Sequence, residues 1–456
     1  MCIEGANYHD EETSRLERTV SYGLSDTGSN LIFQMITIYL MFFYTDVYGI
    51  SASAVASLFL ITRILDAFAD PMMGILIDKT NSKWGKSRPY FLWLGIPFAV
   101  IAIMTFYTPD LGSTGKIVYA YITYTLLGII YSGINIPITA ILPSMTSNPQ
   151  ERTEMASIRM LFAFVGIMIV SVGTLPIVKA LGGGNQQKGF FLTMVLFGVI
   201  GGIFFTITFL NVRERVVSSN DKPLAFRDSL KAIKGNVPWF LLLISGFIQM
   251  TIMTMQTQTS VYFWTYNMKR PDLIAIIMSL SVVSLLTLAI SSFVSKRIGK
   301  RNTMITGSSI MILGYATALF GSNNQSIPLI LTGLIITSLG QGFYMSMTFA
   351  MIADTVDYGE WKSGVRAQGL LSAAVSFGAK VGMGVGGALS ATMLSLGNYV
   401  PGAEHQVHSA LVAIKVNYLW APLFSAVLGI ILMQFYKLDR QIDVISEELE
   451  TQRIQA

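Results

Sequence analysis

The sequence predicts an all-α membrane protein with twelve transmembrane helices in two pseudo-symmetric six-helix bundles. Of the 456 residues, 52% are hydrophobic and only 12% are charged, whereas a soluble domain carries roughly 25% charged residues. Apolar stretches of spanning length recur along the whole chain, separated by polar breaks. Lipid-exposed backbone must pair internally, and the stretches lack the alternation of barrel strands, so we predict that each is a helix.

The predicted helices follow one another without room for a large soluble domain. They cover residues 20–45, 53–77, 90–108, 117–143, 156–179, 189–211, 237–265, 273–296, 303–320, 327–352, 367–396 and 411–436. We therefore predict a tail at 1–19, a first bundle at 20–211, a linker at 212–236, a second bundle at 237–436 and an amphipathic tail helix at 437–456.

Basic residues favour one side of the predicted membrane. Loops after even-numbered helices hold most of them, including Lys79, Lys83, Lys86, Arg88, Arg213, Arg215, Lys296, Arg297, Lys300 and Arg301. Loops after odd-numbered helices hold few. Because cytoplasmic loops carry the excess of Lys and Arg, we expect both termini in the cytoplasm and the protein in the cell membrane.

A weak internal repeat supports two halves. Gly85-Lys86 and Gly299-Lys300 are 214 positions apart, as are Arg152 and Arg366. Duplicated bundles of six helices are typical of membrane transporters, which bind their substrate near the midplane where the repeats meet.

The second predicted helix carries three charged residues on one face, Arg63, Asp66 and Asp70. Each charge costs at least about 2.5–3.5 kcal/mol at mid-bilayer, so the face must be paired or line an aqueous cavity. The alternative is an Arg63–Asp66 ion pair that only holds helices together, but this alternative does not explain Asp70. Two carboxylates one turn apart repel unless a proton or a small cation lies between them, which predicts a coupling site for H⁺ or Na⁺.

Lys380 lies in a stretch of small and apolar residues and needs a carboxylate partner, for which Asp66 or Asp70 is the candidate. The alternative is a lysine that snorkels to the membrane surface. Two alternatives remain for Arg159. It contributes to the substrate site or the gate, or its guanidinium lies at the cytoplasmic headgroups.

Polar and aromatic residues complete a predicted sugar site. Side-chain amides and carboxylates offer directional hydrogen bonds to hydroxyl groups, and aromatic rings stack on sugar faces, although any one ring is more often simply packed. The candidates are Asp26, Asn30, Asn135, Tyr131, Trp264, Tyr22 and Phe33.

An acidic segment, 353–366, stands out on the predicted basic side. Its Asp354, Asp357 and Glu360 are expected to pair with Arg152, with Arg159 or with the cations near residue 300 when the cytoplasmic side is closed, and Arg366 lies at its end. The alternative is a solvated turn. We call this predicted set, with Arg152 and Arg366, the cytoplasmic gate.

Several motifs together resemble one family along the whole chain. They are Tyr22-Gly23-Leu24-Ser25-Asp26-Thr27-Gly28-Ser29-Asn30, Phe43-Tyr44-Thr45-Asp46, Arg63-x-x-Asp66-x-x-x-Asp70-Pro71, Trp84-Gly85-Lys86, Asn135-Ile136-Pro137 and the acidic segment. They look like the glycoside-pentoside-hexuronide:cation symporters of the major facilitator superfamily.

That resemblance implies the major facilitator fold and sugar import by symport. It matches the family's cation-binding carboxylates to Asp66 and Asp70, its helix-two arginine to Arg63 and its helix-eleven lysine to Lys380. Melibiose-transporting members have aspartates where this chain has Asn30 and Asn135, so a galactoside is a doubtful substrate. Hexuronides, with Arg159 or Lys380 as counter-ion, and neutral xylosides or glucosides remain alternatives.

Other function classes are less well supported. A membrane enzyme would need a clustered nucleophile, base or metal site, whereas one cysteine and three histidines offer no such set. The composition implies neither a metal or cofactor nor a nucleic-acid partner, and we expect a monomer. A carrier of lipid or another non-sugar solute and a non-transporting sugar sensor remain alternatives.

Overall fold

The structure is a computed structural model. It describes residues 2–80, 82–146, 148–214, 233–364, 368–403 and 405–455. The described residues form helices joined by short turns and contain no β-strand. The chain divides into two compact units, Met1–Asn220 and Asp221–Ala456, which we call unit 1 and unit 2.

Unit 1 holds six long helices. They are α1 (Cys2–Gln34), α2 (Ala52–Lys79), α3 (Arg88–Thr105), α4 (Ser113–Ala140), α5 (Pro149–Gly182) and α6 (Gln186–Asn211). Beyond Gln34, α1 continues through the π-helical segments Met35–Tyr39 and Phe43–Val47, which flank Leu40–Phe42.

Unit 2 also holds six spanning elements, and a seventh helix follows them. They are α7 (Val237–Tyr262), α8 (Ile274–Ser279 and Ser284–Ile298), α9 (Lys300–Asn323), α10 (Ile327–Ser363), α11 (Gln368–Leu396), α12 (His408–Lys415 and Ala421–Phe435) and α13 (Ile442–Gln455). Short 3-10 and π-helical turns join the pieces of α8 and α12 and precede α13.

The same helix pairs pack in each unit. In unit 1, α1 packs against α5 and α6, α4 packs against α2 and α3, and α3 packs against α6. In unit 2, α7 packs against α11 and α12, α10 against α8 and α9, and α9 against α12. A shift of six helices relates the two sets, and the predicted pair of pseudo-symmetric helical bundles is thereby confirmed.

The repeat extends to single hydrogen bonds. The first helix of each unit ends in a π-helical turn, Phe43–Val47 in unit 1 and Phe263–Asn267 in unit 2. The amide of Tyr48 donates to the Phe43 carbonyl (2.8 Å), and that of Met268 donates to the Phe263 carbonyl (3.1 Å). These pairs are 220 positions apart, so helix α7 aligns with α1 at that shift.

A carboxylate caps an equivalent helix in each unit. Glu214, just after α6, accepts hydrogen bonds from the amides of Lys86, Ser87 and Arg88 at the start of α3 (2.7–3.1 Å). Asp439, just after α12, accepts from the amides of Lys300 and Arg301 at the start of α9. A helix start offers unpaired N–H groups and a positive dipole end, which an anion satisfies.

Glycine is needed at both caps. Gly85 and Gly299 have φ angles of +107° and +85°, and a Cβ on either would collide with the capping carboxylate. The Gly-Lys repeat seen in the sequence therefore marks a turn in which the chain makes room for an anion at a helix start.

The outer surface of the helices is apolar. Large side chains such as Leu286 (66% exposed) and Phe424 (62% exposed) face outward. Within the described ranges, ten helices are long and apolar enough to cross a membrane. Helix α2, which carries the three predicted intramembrane charges, and α11 cover the remaining two predicted spans, so the chain is a multi-pass membrane protein.

The structure extends the tenth predicted helix well beyond its predicted end. The sequence places the end of the tenth helix near residue 352 and treats the acidic segment as a loop, but α10 continues to Ser363. Hydropathy marks where a helix leaves apolar surroundings, whereas backbone hydrogen bonding continues through polar residues. The helix ends only at Gly364, whose φ of +68° is left-handed.

Candidate transport site

Helices α1 and α5 bring two predicted site residues into contact. The Asp26 carboxylate on α1 and the Arg159 guanidinium on α5 form an ion pair, with side chains only 10% and 21% exposed. Arg159 also donates to the Tyr22 hydroxyl (3.2 Å), which donates in turn to the Ile138 carbonyl of α4 (2.8 Å). Three helices are thus joined by one buried polar network, in which the Arg159 guanidinium contacts Asp26 and Tyr22.

Close packing of small residues makes this approach of the helices possible. A Cβ on Gly23 of α1 would overlap the Phe162 ring, and one on Gly166 of α5 would meet the backbone of Thr27 at about 3.0 Å. Because both glycines lack a side chain, α5 lies close enough for Arg159 to reach Asp26.

The next turn of the same helices holds the other predicted sugar ligands. The Phe33 ring of α1 stacks on the Tyr131 ring of α4, with centroids 4.7 Å apart and planes at 12°. Asn135 donates from its side chain to the Tyr131 hydroxyl (2.6 Å), and Asn30 donates to the Asp26 carbonyl (2.9 Å). Asn30, Phe33, Tyr131 and Asn135 are all half-buried. These four, with Asp26 and Arg159, form what we call the unit 1 polar cluster.

The carboxylate of Asp66 lies against α4. A Cβ on Gly128 would overlap the Asp66 carboxylate, with the Cγ atom at 3.2 Å. Asp66 and Asp70 are half-buried on α2, while the side chain of Arg63 lies outside the described residues. Gly128 could not be identified from the sequence, because a glycine in an apolar helix gives no signal by itself.

Two further predicted residues lie in unit 2. Lys380 is half-buried on α11, and its pairing with a helix-two carboxylate stays a prediction. The Trp264 ring is fully buried inside unit 2, where its indole N–H donates to the Tyr418 hydroxyl (3.3 Å). The ring is packed inside unit 2 in this structure, and its predicted contact with a sugar stays a prediction.

The acidic end of α10 holds an ion pair of the predicted type. Asp354 accepts two hydrogen bonds from the Lys300 ammonium (2.6 and 2.7 Å) and is 8% exposed. Asp357 and Glu360 lie further along the same helix, half-buried. On α5, Arg152 donates to the Thr146 carbonyl (2.8 Å), and Arg366 lies outside the described residues.

Comparison with known proteins identifies the family. The family model for MFS/sugar transport proteins matches residues 21–440. An isoprimeverose transporter of Lactiplantibacillus pentosus is 45% identical over 95% of this chain and 91% of its own length. The chain is a member of the glycoside-pentoside-hexuronide:cation symporter family.

Two further likenesses agree with this assignment. A putative glycoside/cation symporter of Escherichia coli (strain K12) is 32% identical over 94% of each chain. The crystal structure of a D-xylose-proton symporter superimposes with a TM-score of 0.67 over 94% of this chain and 99% of that one, at 13% identity. That structure establishes the major facilitator fold.

The chain is therefore a sugar or glycoside transporter of the major facilitator superfamily and not an enzyme. The family expected from the sequence motifs is confirmed. The individual site residues, the coupling ion and the route of transport stay predictions.

Proposed function

We propose that this family member imports a neutral sugar or glycoside by symport with H⁺ or Na⁺, through alternating access. The observation that carries the proposal is the position of helix α4. Its Gly128 borders the Asp66 carboxylate, and its Tyr131 and Asn135, one and two turns further on, belong to the unit 1 polar cluster. A rigid helix that touches both groups can transmit a change at one to the other.

Asp66 and Asp70 form the cation site in this proposal, with Arg63 and Lys380 as neighbouring cations that set its charge. A proton or Na⁺ between the two carboxylates removes their repulsion. One positive charge that moves inward gains about 2.3 kcal/mol per 100 mV of membrane potential. This is enough to concentrate a neutral sugar tens of fold.

The unit 1 polar cluster forms the sugar site, with Asp26, Asn30, Asn135, Arg159 and Tyr131 as hydrogen-bonding and stacking groups. Arg159 is already paired with Asp26, so its charge is not available to an acidic sugar without breaking a buried ion pair. Neutral glycosides therefore fit better than hexuronides. The disaccharide isoprimeverose is the leading candidate, because the 45% identical relative is named as its transporter.

Transport would proceed by movement of two bundles, residues 20–211 and 237–436, joined by the linker at 212–236. The acidic end of α10 would act as the cytoplasmic gate, in which Asp354, Asp357 and Glu360 exchange partners among Lys300, Arg152 and Arg366 as the site opens. The expected setting is a monomer in the cell membrane with both termini cytoplasmic.

Uptake into vesicles tests this function directly. Proteoliposomes are incubated with a panel of labelled xylosides, glucosides, isoprimeverose and glucuronides in the outer solution, and Na⁺ and pH gradients are imposed separately. We expect accumulation of a neutral glycoside driven by one of the two gradients. Sugar binding without counterflow would indicate a sensor, and the absence of both would reject a sugar substrate.

A further inference from the structure

A groove of about 420 Å³ runs between α3 and α6 on the outer face of unit 1. Its lining residues are aliphatic or glycine, apart from Thr206, whose hydroxyl donates to the Gly202 carbonyl of the same helix (2.8 Å). An occupant of the groove therefore meets hydrocarbon and no charge. In a membrane-spanning helix pair, such a surface is complementary to an acyl chain.

Two glycines of α6 shape the groove. A Cβ on Gly198 would meet the Ile103 side chain of α3 at 3.2 Å, and one on Gly202 would lie 3.8 Å from the Ala99 Cβ. Because neither glycine has a side chain, α6 packs closely on α3, and a row of outward-facing side chains borders the groove on each helix. These rows are Ile96 and Val100 on α3 and Val199 and Ile203 on α6, each 48–57% exposed.

The equivalent helix of unit 2 lacks these glycines. Arg88 donates to the Phe209 carbonyl near the end of α6 (2.8 Å), and its counterpart in α9 donates to the Met433 carbonyl near the end of α12 (2.7 Å). Helix α12 therefore aligns with α6 at a shift of 224 positions, which places Pro422 and Ala426 where unit 1 has its two glycines. Both side chains are buried, so the glycine floor of the groove is specific to unit 1.

Basic side chains surround one end of the groove, on the predicted cytoplasmic side. The Arg88 guanidinium connects α3 to the end of α6 there, and Lys83, Lys86 and Arg213 are exposed around it. The carboxylate at the same place, Glu214, is already bound by three backbone amides at the start of α3. This end of the groove thus carries an excess of positive charge.

Two tryptophans mark the headgroup level at this end. Trp93 is 47% exposed and lies one turn before Ile96 on the same face of α3. The Trp84 ring packs edge-on against Phe209 of α6 (centroids 5.4 Å apart), and the Lys83 ammonium lies 4.9 Å from the Trp84 ring centroid. Tryptophan is enriched where headgroups meet hydrocarbon, so the basic side chains lie at the level of lipid phosphates.

The depth of the groove agrees with this level. Ile96 and Ile103 lie eight and fifteen residues after Arg88, which is about 12 and 22 Å along a helix that rises about 1.5 Å per residue. One leaflet has about 7 Å of headgroups above about 15 Å of hydrocarbon. With Arg88 at the phosphates, the groove lies at the depth of the acyl chains.

We propose that the groove and its basic end form a binding site for an anionic phospholipid of the cytoplasmic leaflet. One acyl chain lies between α3 and α6, and Lys86, Arg88 and Arg213 hold the phosphate. The excess of positive charge favours an anionic headgroup over a zwitterionic one, which brings a cation of its own. This inference concerns the outer face of unit 1 alone and does not depend on the sugar or the coupling ion.

Fluorescence quenching by lipids with a nitroxide on an acyl chain tests the site. Cys2 is the only cysteine, so Met104→Cys in a Cys2→Ser background carries a single fluorophore. Met104 is 40% exposed on α3, beside the groove but not lining it. The full-length protein is reconstituted in phosphatidylcholine with increasing fractions of nitroxide phosphatidylglycerol or nitroxide phosphatidylcholine. We expect half-maximal quenching at a severalfold lower fraction of phosphatidylglycerol, and no such difference for Leu313→Cys, an exposed position of α9 in unit 2 (60%).

One pair of variants tests the headgroup contacts. Lys86→Gln combined with Arg213→Gln removes two exposed cations and leaves the helix contact of Arg88 in place. We expect the preference for phosphatidylglycerol to fall about fivefold for each cation removed. Lys296→Gln combined with Arg297→Gln, a matched control at two exposed cations of unit 2, should leave the preference unchanged.

A second variant tests the acyl-chain contact. Gly202→Leu should fill the groove without a backbone clash, because its Cβ meets only the Ala99 Cβ at an ordinary contact distance of 3.8 Å, and the preference should be lost. Gly246→Leu on α7 is the matched control, since a Cβ there meets nothing within 4 Å. Unchanged thermal unfolding shows that the variants are folded.

The outcomes decide the lipid site without bearing on transport. Equal quenching of the Met104 label by both lipids rejects the site, and so does the same preference at Leu313. A preference that survives the loss of Lys86 and Arg213 rejects the headgroup contacts, and one that survives Gly202→Leu rejects the acyl-chain contact. Sugar uptake is measured separately, so failure of the lipid site leaves the proposed function standing.

Discussion

Unit 1 and unit 2 repeat the same contact between two helices but place different side chains in it. In unit 1 the α2 carboxylate of Asp66 lies against Gly128 of α4, and in unit 2 the α8 hydroxyl of Thr287 lies against Gly342 of α10. The two glycines are 214 positions apart, and the two facing residues are 221 apart. The helix contact is thus repeated, while the side chain that it holds is not.

The difference shows that only unit 1 has an ionisable side chain at this contact. Thr287 donates to the carbonyl of Ser284 in its own helix (3.1 Å), and Ser291 bonds to Ser346 (2.6 Å), so these hydroxyls are satisfied without any ion. Carboxylates in a membrane helix need a proton or a cation. In the proposed mechanism, ion coupling therefore belongs to α2, and α8 is a neutral packing helix.

The largest expected effect is the loss of coupling when a unit 1 carboxylate is removed. Asp70→Asn should abolish uphill sugar accumulation while downhill exchange persists, because the variant cannot carry the ion. At the 221 shift its counterpart is Ser291, and Ser291→Ala should keep accumulation within about twofold of wild type. The check is gradient-driven uptake in proteoliposomes, and full accumulation by Asp70→Asn would remove α2 from the coupling mechanism.

The second prediction concerns the buried pair of Asp26 and Arg159, a feature of unit 1. Asp26→Asn should destabilise the protein by about 3–5 kcal/mol, because it leaves a buried guanidinium without its counter-charge. The double variant Asp26→Asn, Arg159→Gln should recover much of that stability without recovering sugar affinity. Thermal unfolding in detergent and sugar titration measure the two effects, and a stable Asp26→Asn variant would contradict the prediction.

The third prediction compares the two glycines directly. Gly128→Ala should weaken cation affinity about tenfold, because the added methyl displaces the Asp66 carboxylate. Gly342→Ala should lower the unfolding temperature through its clash with Thr287 and the Ser284 carbonyl, without altering the cation dependence of uptake. Equal effects of both variants on cation dependence would show that Gly128 acts only through packing.

The smallest expected effect lies at the paired helix caps. Glu214→Gln should lower the free energy of unfolding by about 1 kcal/mol. A neutral amide accepts hydrogen bonds from the α3 backbone amides more weakly and loses the favourable interaction with the helix dipole. Asp439→Asn should cost less, because its two hydrogen bonds are longer (3.1 and 3.3 Å) than the shortest of Glu214 (2.7 Å). Unfolding in denaturant measures both, and a larger loss for Asp439→Asn would reverse the expected order.

Much of the fold could be predicted because each membrane span is recognisable from the hydrophobicity of its own residues. Each of the twelve apolar stretches became a helical element, since lipid leaves backbone groups no other partner. The acidic end of α10 was missed because helix continuation beyond the membrane depends on backbone hydrogen bonds and on Gly364, not on hydropathy.

The candidate site was predicted in part. Charged residues inside apolar helices stand out because their burial is costly, so Asp26, Asp66, Asp70 and Arg159 could be picked from the sequence. Gly128 could not, because its significance depends on which residue of another helix faces it.

The sequence by itself determined the membrane class, the duplicated six-helix plan and the identity of the costly charges, because these follow from transfer free energies that each residue carries alone. Only the tertiary structure decided that Asp26 pairs with Arg159 and that Asp66 lies against Gly128. Those facts are distances between helices far apart in the chain, and no local property of the residues encodes them.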